Sequence, residues 1–237
     1  MINEVRKPNM VRKKSKNTPS KINWHATLVE LAVVVIGITL AFIINRTYED
    51  YKNRQQEAEY LQSLRDDLTT DIHELDSLRT YLEKQKNTLT RFSERLFDGD
   101  KISPDSLRSY VLAMTRLYLF TPQRTTFFAL KSSGDLNLIR DYTLRHDIFK
   151  YYQELEGLEY LHRIINNYFN TYIISMVISH VSLKGNDIKD AGYFRSLPFK
   201  NVVLGFQSLI SQEGTTYKKL RGLALNIRNK IEQNFGE

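Results

Sequence analysis

Residues 26–44 read ATLVELAVVVIGITLAFII, nineteen residues that carry a single charge, Glu30. At roughly 1.5 Å per residue such a helix spans about 28 Å, close to the roughly 30 Å hydrocarbon core of a bilayer. A buried core helix is the competing use of an apolar run, and Leu31 to Ile44 alone would be long enough for it. The flanks decide between the two. Seven Lys/Arg precede the segment, Trp24 stands where an interfacial aromatic would, and only Lys52, Arg54 and Arg65 occur among the twenty residues after Arg46. The pattern predicts a membrane helix over 24–45. It is retained as a signal anchor, because Ile43-Ile44-Asn45-Arg46-Thr47 offers no small-x-small cleavage signature. The positive-inside rule then predicts a cytoplasmic N-terminus, with the bulk of the chain on the other side of the membrane.

The same flank explains the charge. Residues 1–23 hold Arg6, Lys7, Arg12, Lys13, Lys14, Lys16 and Lys21 against Glu4 alone, so nearly all of the formal +7 of the 237-residue chain belongs to this basic tail. No basic face of the kind that tracks nucleic-acid phosphates is implied for the rest, and no nucleic-acid partner is expected. With no cysteine in the chain, disulfide frameworks, thiolate nucleophiles and thiolate metal sites are excluded.

Between Gly37 and Gly99 there is neither Gly nor Pro, which favours one continuous helix. A stalk is therefore predicted over 46–97. Its apolar residues recur in steps of three and four: Leu61, Leu64, Leu68, Ile72, Leu75, Leu78, Leu82, Leu89, Phe92 and Leu96. Leu68, Ile72, Leu75 and Leu82 are its central packing residues. The stripe needs a partner, either a second copy in a coiled coil or a long helix within the chain, predicted from about Asp141 to Val181; the intramolecular antiparallel pairing is the favoured one. Turn signals divide the remaining 98–237. Ser103-Pro104-Asp105 opens a helix running to about Phe120, Pro122 opens another, and Ser133-Gly134-Asp135 closes it. Lys184-Gly185-Asn186-Asp187 ends the long helix, and Gly214 is expected to separate a helix over 202–210 from a last amphipathic one. Tyr168 to Leu183 is too short and too polar for a second span and reads as a core helix. No period-2 strand is evident. The expected fold is all-α: an N-terminal transmembrane helix continuing into an amphipathic stalk, packed with a helical bundle domain.

Glu30 is the one residue whose position is costly without compensation. Two readings stand: a functional intramembrane acid, or a carboxylate tolerated near the helix start at the headgroup level. Helical steps from Glu30 reach Val34, Gly37, Ala41 and Asn45, so Glu30 shares a face with the small pair Gly37 and Ala41. Small residues let helices approach closely in lipid, which predicts association of the membrane helix through Glu30, Gly37 and Ala41, with a protein partner or another copy. Thr27-Leu28-Val29-Glu30 resembles the start of a type IV pilin, but His25-Ala26 stands where that family has its Gly-Phe processing site. Single-span proton-channel partners of flagellar-stator type also carry an acid near the start of their membrane helix, usually Asp. The helical remainder of this chain departs from theirs.

Enzyme signatures are thin. No GxxxxGK[ST], GxGxxG or GxSxG occurs. Of five histidines only Glu159-x-x-His162 has ligand-like spacing, and the second pair that a di-iron bundle needs is missing. No catalytic, metal-binding or cofactor-binding residue is expected. Asp66, Asp67 and Asp71 read as a solvated stalk face, and Lys218, Lys219, Arg221, Arg228 and Lys230 as a solvated face or a contact with anionic headgroups. The aromatics Tyr118, Phe120, Phe127, Phe128, Tyr151 and Tyr152 read as core or interface.

Three blocks, ELAVVVIGITLAFIIN (30–45), EYLQSLRDDLTTDIHELD (59–76) and TTFFALKSSGDLNLIRDYTLRHDIFKYY (125–152), carry a broader resemblance. In order and spacing they resemble a family of uncharacterised single-pass membrane proteins, a domain of unknown function common in Bacteroidota. The resemblance implies an envelope location and no particular activity. The expected function is that of an inner-membrane protein with a helical periplasmic scaffold or interaction domain. The alternative is an accessory subunit of an ion-coupled envelope complex using Glu30.

Overall fold

The structure is a computed structural model and describes residues 24–99, 101–182, 184 and 188–234. The basic tail and most of the turn predicted over 184–187 lie outside the described residues. The chain divides into two compact units, Met1–Lys52 and Asn53–Glu237.

The first helix, α1, runs from Trp24 to Phe97, 74 residues, as the absence of Gly and Pro inside the stalk requires. In the first unit every described residue is exposed. Hydroxyls there are satisfied within the helix: Thr39 Oγ1 donates to the Val35 carbonyl at 2.8 Å and Thr47 Oγ1 to that of Ile43 at 2.9 Å. Among the described residues α1 is the one helix long and apolar enough to cross a membrane, by length and composition.

The second unit contains the rest of α1 followed by α2 (Pro104–Met114), α3 (Thr125–Ser133), α4 (Tyr142–Tyr168), α5 (Ser175–His180) and α6 (Leu197–Asn234). Every regular element among the described residues is helical; the one β-type pairing is an isolated antiparallel bridge between Val181 and Ile188. The helix ends follow local chemistry. Ser103 Oγ accepts from Ser106 N ahead of Pro104, Asp141 Oδ1 accepts from Thr143 N and Leu144 N, and Gly134 ends α3 at φ +80°. The predicted long helix is α4 and α5 joined by a π-helical turn, Phe169–Ile174.

Four boundaries differ from expectation, the first being that the helix expected from Val202 already begins at Leu197. α2 stops at Met114, and α3 starts at Thr125, not at Pro122. Residues 116–124 form a non-helical connector because its amides find better acceptors on other helices, as described below. α6 runs unbroken through Gly214, where a Cβ would stand in ordinary contact with Leu82 at 3.9 Å; packing outweighs the local propensity of glycine.

One continuous core holds the unit together. α1 contributes Leu61, Leu64, Leu68, Ile72, Leu75, Leu82, Leu89, Phe92 and Leu96, all buried, so the stalk stripe finds its partners within the chain. α4 contributes Leu144, Ile148, Tyr151, Leu155, Leu158 and Ile165, and α6 contributes Phe199, Val203, Phe206, Ile210, Tyr217, Leu220, Ala224, Ile227 and Ile231, each at helical spacing. α4 and α6 pack most closely; Gly205 of α6 lies directly against the Tyr168 ring. The second-span candidate is partly buried here, through Ile173, Met176, Val177 and Val181.

Candidate functional site

The predicted membrane-helix residues Glu30, Gly37 and Ala41 are all exposed on α1, and a Cβ at Gly37 would meet nothing within 4 Å. They share a helix face at the spacing expected. The stalk residues Leu68, Ile72, Leu75 and Leu82 are 1%, 5%, 0% and 3% exposed inside the second unit, a packed interior with no free surface for a partner helix.

The chemistry of the second unit gathers around the connector. Asp71, expected on a solvated face, is instead 0% exposed. Its Oδ1 accepts from Gln123 N at 2.8 Å and its Oδ2 from the Tyr151 hydroxyl at 2.7 Å. Burial pushes its carboxyl up to about 6, against the pull of those two donors. The same burial, with the neighbouring Asp71 carboxylate, holds the Tyr151 phenol far above its usual range. One turn along α1, Glu74 Oε1 accepts from Thr121 N at 3.1 Å. From α6, the Tyr217 hydroxyl accepts from Phe120 N at 2.9 Å and donates to Glu213 Oε1 at 2.8 Å. From α4, the Tyr152 hydroxyl donates to the Gln123 carbonyl at 3.3 Å while its ring stacks on Phe127 at 3.9 Å. Gln85 Nε2 closes the other end on the carbonyls of Ala113 and Arg116.

The connector is thus a stretch of backbone, buried at Phe120 and partly exposed elsewhere, several of whose polar groups are taken by side chains of three helices, which is what allows it to leave the helical ladder. The stalk repeats the device further along: Glu57 Oε1 accepts from Arg140 N at 2.7 Å, and Gln56 and Tyr60 both donate to Asp135 Oδ2. The sequence blocks 59–76 and 125–152 are therefore partners, bonded through Tyr60 to Asp135 and Tyr151 to Asp71.

His162 parts from Glu159. Its Nε2 lies 3.2 Å from the Tyr217 hydroxyl and 3.3 Å from Glu213, whereas Glu159 pairs with Arg124. No group of three or more metal-ligating side chains occurs among the described residues. Glu213, like Asp71, is 0% exposed, and its Oε2 has no hydrogen-bond partner. A His–Glu–Tyr string could relay a proton in an open site. Here the tyrosine hydroxyl is already committed to the Phe120 amide and to Glu213, so the string acts as an anchor.

Lys219, Arg221 and Lys230 of α6 are paired with acids of other helices. Arg221 forms a bidentate bridge to Asp76, Lys219 reaches Glu154 at 2.6 Å and Lys230 reaches Asp147 at 2.7 Å. Of the aromatics, Phe120, Phe127, Tyr151 and Tyr152 are core, while Tyr118 and Phe128 are exposed.

Asp71 and Glu213 carried a sequence signal. Asp71 falls three residues after Leu68 and four before Leu75; Glu213 falls three after Ile210 and four before Tyr217. Each is a charge on an apolar stripe, a position where a solvated side chain does not fit.

An all-α protein with, among the described residues, one helix both long and apolar enough to cross a membrane, a stalk stripe packed within its own chain and a side-chain-anchored connector is the class defined by these features. The chain belongs to a family of unknown function (DUF6090), whose match covers residues 30–183, well over half of the chain. That span takes in the apolar segment, the stalk, the connector and α4, and ends before α6. No curated protein and no solved structure matches the chain.

Proposed function

We propose that the protein is a single-pass inner-membrane protein, N-terminus in the cytoplasm, whose helical unit is a periplasmic scaffold or interaction module without catalytic activity. The observation that carries this reading is the contrast in burial. The apolar segment is wholly exposed, so it needs a bilayer or a partner, whereas the acids, phenols and most basic residues of α6 are engaged by internal bonds that organise backbone. The Lys/Arg-rich tail supports the orientation, and the resemblance to single-pass Bacteroidota proteins agrees with it. The absence of cysteine makes a clean test. Single-cysteine variants Asn17→Cys and Lys131→Cys are treated with a membrane-impermeant maleimide on cells with a permeabilised outer membrane. Labelling of position 131 with protection of position 17 until lysis is expected; the reverse pattern overturns the topology.

A second reading rests on Glu30, an exposed acid on an apolar helix face shared with Gly37 and Ala41. In this reading the membrane helix associates through these residues, and Glu30 serves an ion-coupled envelope complex as an accessory subunit. Cross-linked pull-down from native membranes separates the two. A multi-span partner recovered with wild type and lost with Glu30→Gln favours the second reading; recovery unaffected by the substitution leaves the scaffold.

A further inference from the structure

At the end of the helical unit where the stalk turns, a cavity of about 610 Å³ opens between the last turn of α1, the start of α2 and the segment leading into α6. Leu96, Ile102, Leu107, Ile188 and Phe194 form its apolar wall. Three cations, Lys101, Arg195 and Lys200, also line it, and no described acid does. None of the three forms an ion pair with a described residue: Lys200 Nζ stands 5.0 Å over the Phe97 ring, and Asp190, the nearest described acid in sequence to Arg195, is taken by His180 and by the amides of Gly192 and Tyr193. This differs from Lys219, Arg221 and Lys230 further along α6, each of which is paired with an acid of another helix. The volume is in the range of small-molecule sites, roughly 300–1,000 Å³, which combine an apolar body with a few placed polar groups.

We propose that this cavity binds an anionic single-chain amphiphile, its acyl chain against Leu96, Leu107 and Phe194 and its carboxylate or phosphate head between Lys101, Arg195 and Lys200. An acyl chain fits because Leu96, Ile102, Leu107, Ile188 and Phe194 give the cavity an aliphatic and aromatic wall against which apolar surface is buried. A compact anionic head fits because three cations from different segments line the one cavity, and a carboxylate or phosphate between them would be held by charge-assisted hydrogen bonds. The proposal is independent of topology and of Glu30.

The test uses the full chain in lipid nanodiscs and a fluorescent undecanoate whose emission rises on desolvation. Saturable binding is expected, displaced by dodecanoate and by dodecyl phosphate, with dodecanol at least about tenfold weaker because it lacks the charge, about 1.4 kcal/mol. Displacement by both anions identifies the head-group chemistry; preference for one tells a fatty acid from a phospholipid-derived ligand. Lys101→Gln combined with Arg195→Gln is expected to weaken binding about tenfold or more with unfolding temperature unchanged, since both side chains are exposed. Ala191→Trp, at the exposed rim, is expected to block the cavity while sparing the core. The proposal is overturned by dodecanol competing as well as dodecanoate, by inorganic phosphate or an acidic peptide competing where dodecanoate does not, or by unchanged affinity in both variants.

Discussion

The two parts of α1 are built from one uninterrupted helix yet solve opposite problems. From Ala26 to Ile44 the helix is apolar on nearly every side, with Glu30 its single charge, and no described residue from Trp24 to Lys52 is buried by the chain itself. From Asn53 to Phe97 it is amphipathic, and its apolar stripe is packed to near-zero exposure in the unit's continuous core. The stalk has the thinner share of apolar residues and the deeper burial. Burial is thus decided by periodicity: a stripe gives a neighbour one direction from which to cover it, whereas an apolar cylinder asks for a surrounding medium. Polar residues obey the same division. Hydroxyls turn back onto their own helix in both parts, but in the stalk the longer or charged side chains of Asp71, Gln85 and Glu74 also reach outward to hold another segment.

The sharpest way to break the comparison is to shorten one side chain on each part. Leu75→Ala removes a fully buried side chain and is expected to cost about 2–5 kcal/mol of the helical unit's stability. Val35→Ala, on an exposed position, is expected to stay within about 0.5 kcal/mol. Thermal unfolding followed by near-ultraviolet circular dichroism, which reads the packed tyrosines, separates the two. Equal losses would mean that the apolar part is also packed by the chain.

Asp71 gives a test of nearly the same size with a definite sign. Its carboxyl, pushed up to about 6 in the folded protein, sits near 3.8 when unfolded. Between those values the folded state holds a proton that the unfolded chain has released, so this group favours folding below about 4 and its contribution is lost as pH rises through about 6. The full swing corresponds to roughly 3 kcal/mol. Asp76 and Asp141 act with the opposite sign, because Arg221 and the Leu144 amide respectively hold their carboxyls below the usual value; their contributions fade only on acidification below it. The window from about 4 to 6 therefore reports Asp71. Unfolding temperature is expected to fall across it in wild type, and Asp71→Asn is expected to flatten the slope. A slope unchanged by the substitution would remove the burial cost assigned to this carboxyl.

Asp71 also shows where sequence reading stopped. The all-helical class, the continuous α1, the long helix over 141–181 and the capping residues Ser103 and Gly134 follow from local propensity and periodicity, and the structure has them. The connector over 116–124 does not follow, because its conformation is set by Asp71, Glu74, Tyr152 and Tyr217, which lie 29 to 97 residues away from the groups they hold. Propensity carries no information about acceptors at that distance. Gly214 failed for a related reason: a glycine in a helix costs about 1 kcal/mol locally, less than α6 regains by burying Ile210, Tyr217 and Leu220 on one face. The stripe positions of Asp71 and Glu213 were visible all along. Reading Asp71 as part of a charged run, and not as an interruption of an apolar one, hid its anchor, and Glu213 lies outside the basic residues that draw the eye to α6.

Two glycines bring the comparison down to its smallest effect. A methyl on Gly205 would come within 2.9 Å of the Tyr168 Cζ, at a tyrosine whose hydroxyl donates to the Val202 carbonyl at 3.0 Å. Gly205→Ala is expected to cost about 1–3 kcal/mol by overpacking that contact. Gly37 has nothing within 4 Å, so Gly37→Ala is expected to leave the unfolding transition of the helical unit where it is. A larger side chain separates freedom within the chain from freedom in the membrane. If Gly37 and Ala41 form the seam through which membrane helices meet, Gly37→Leu reduces cross-linking between copies or to a partner in native membranes while the unfolding temperature holds. Cross-linking that survives Gly37→Leu would leave that face of α1 to lipid alone.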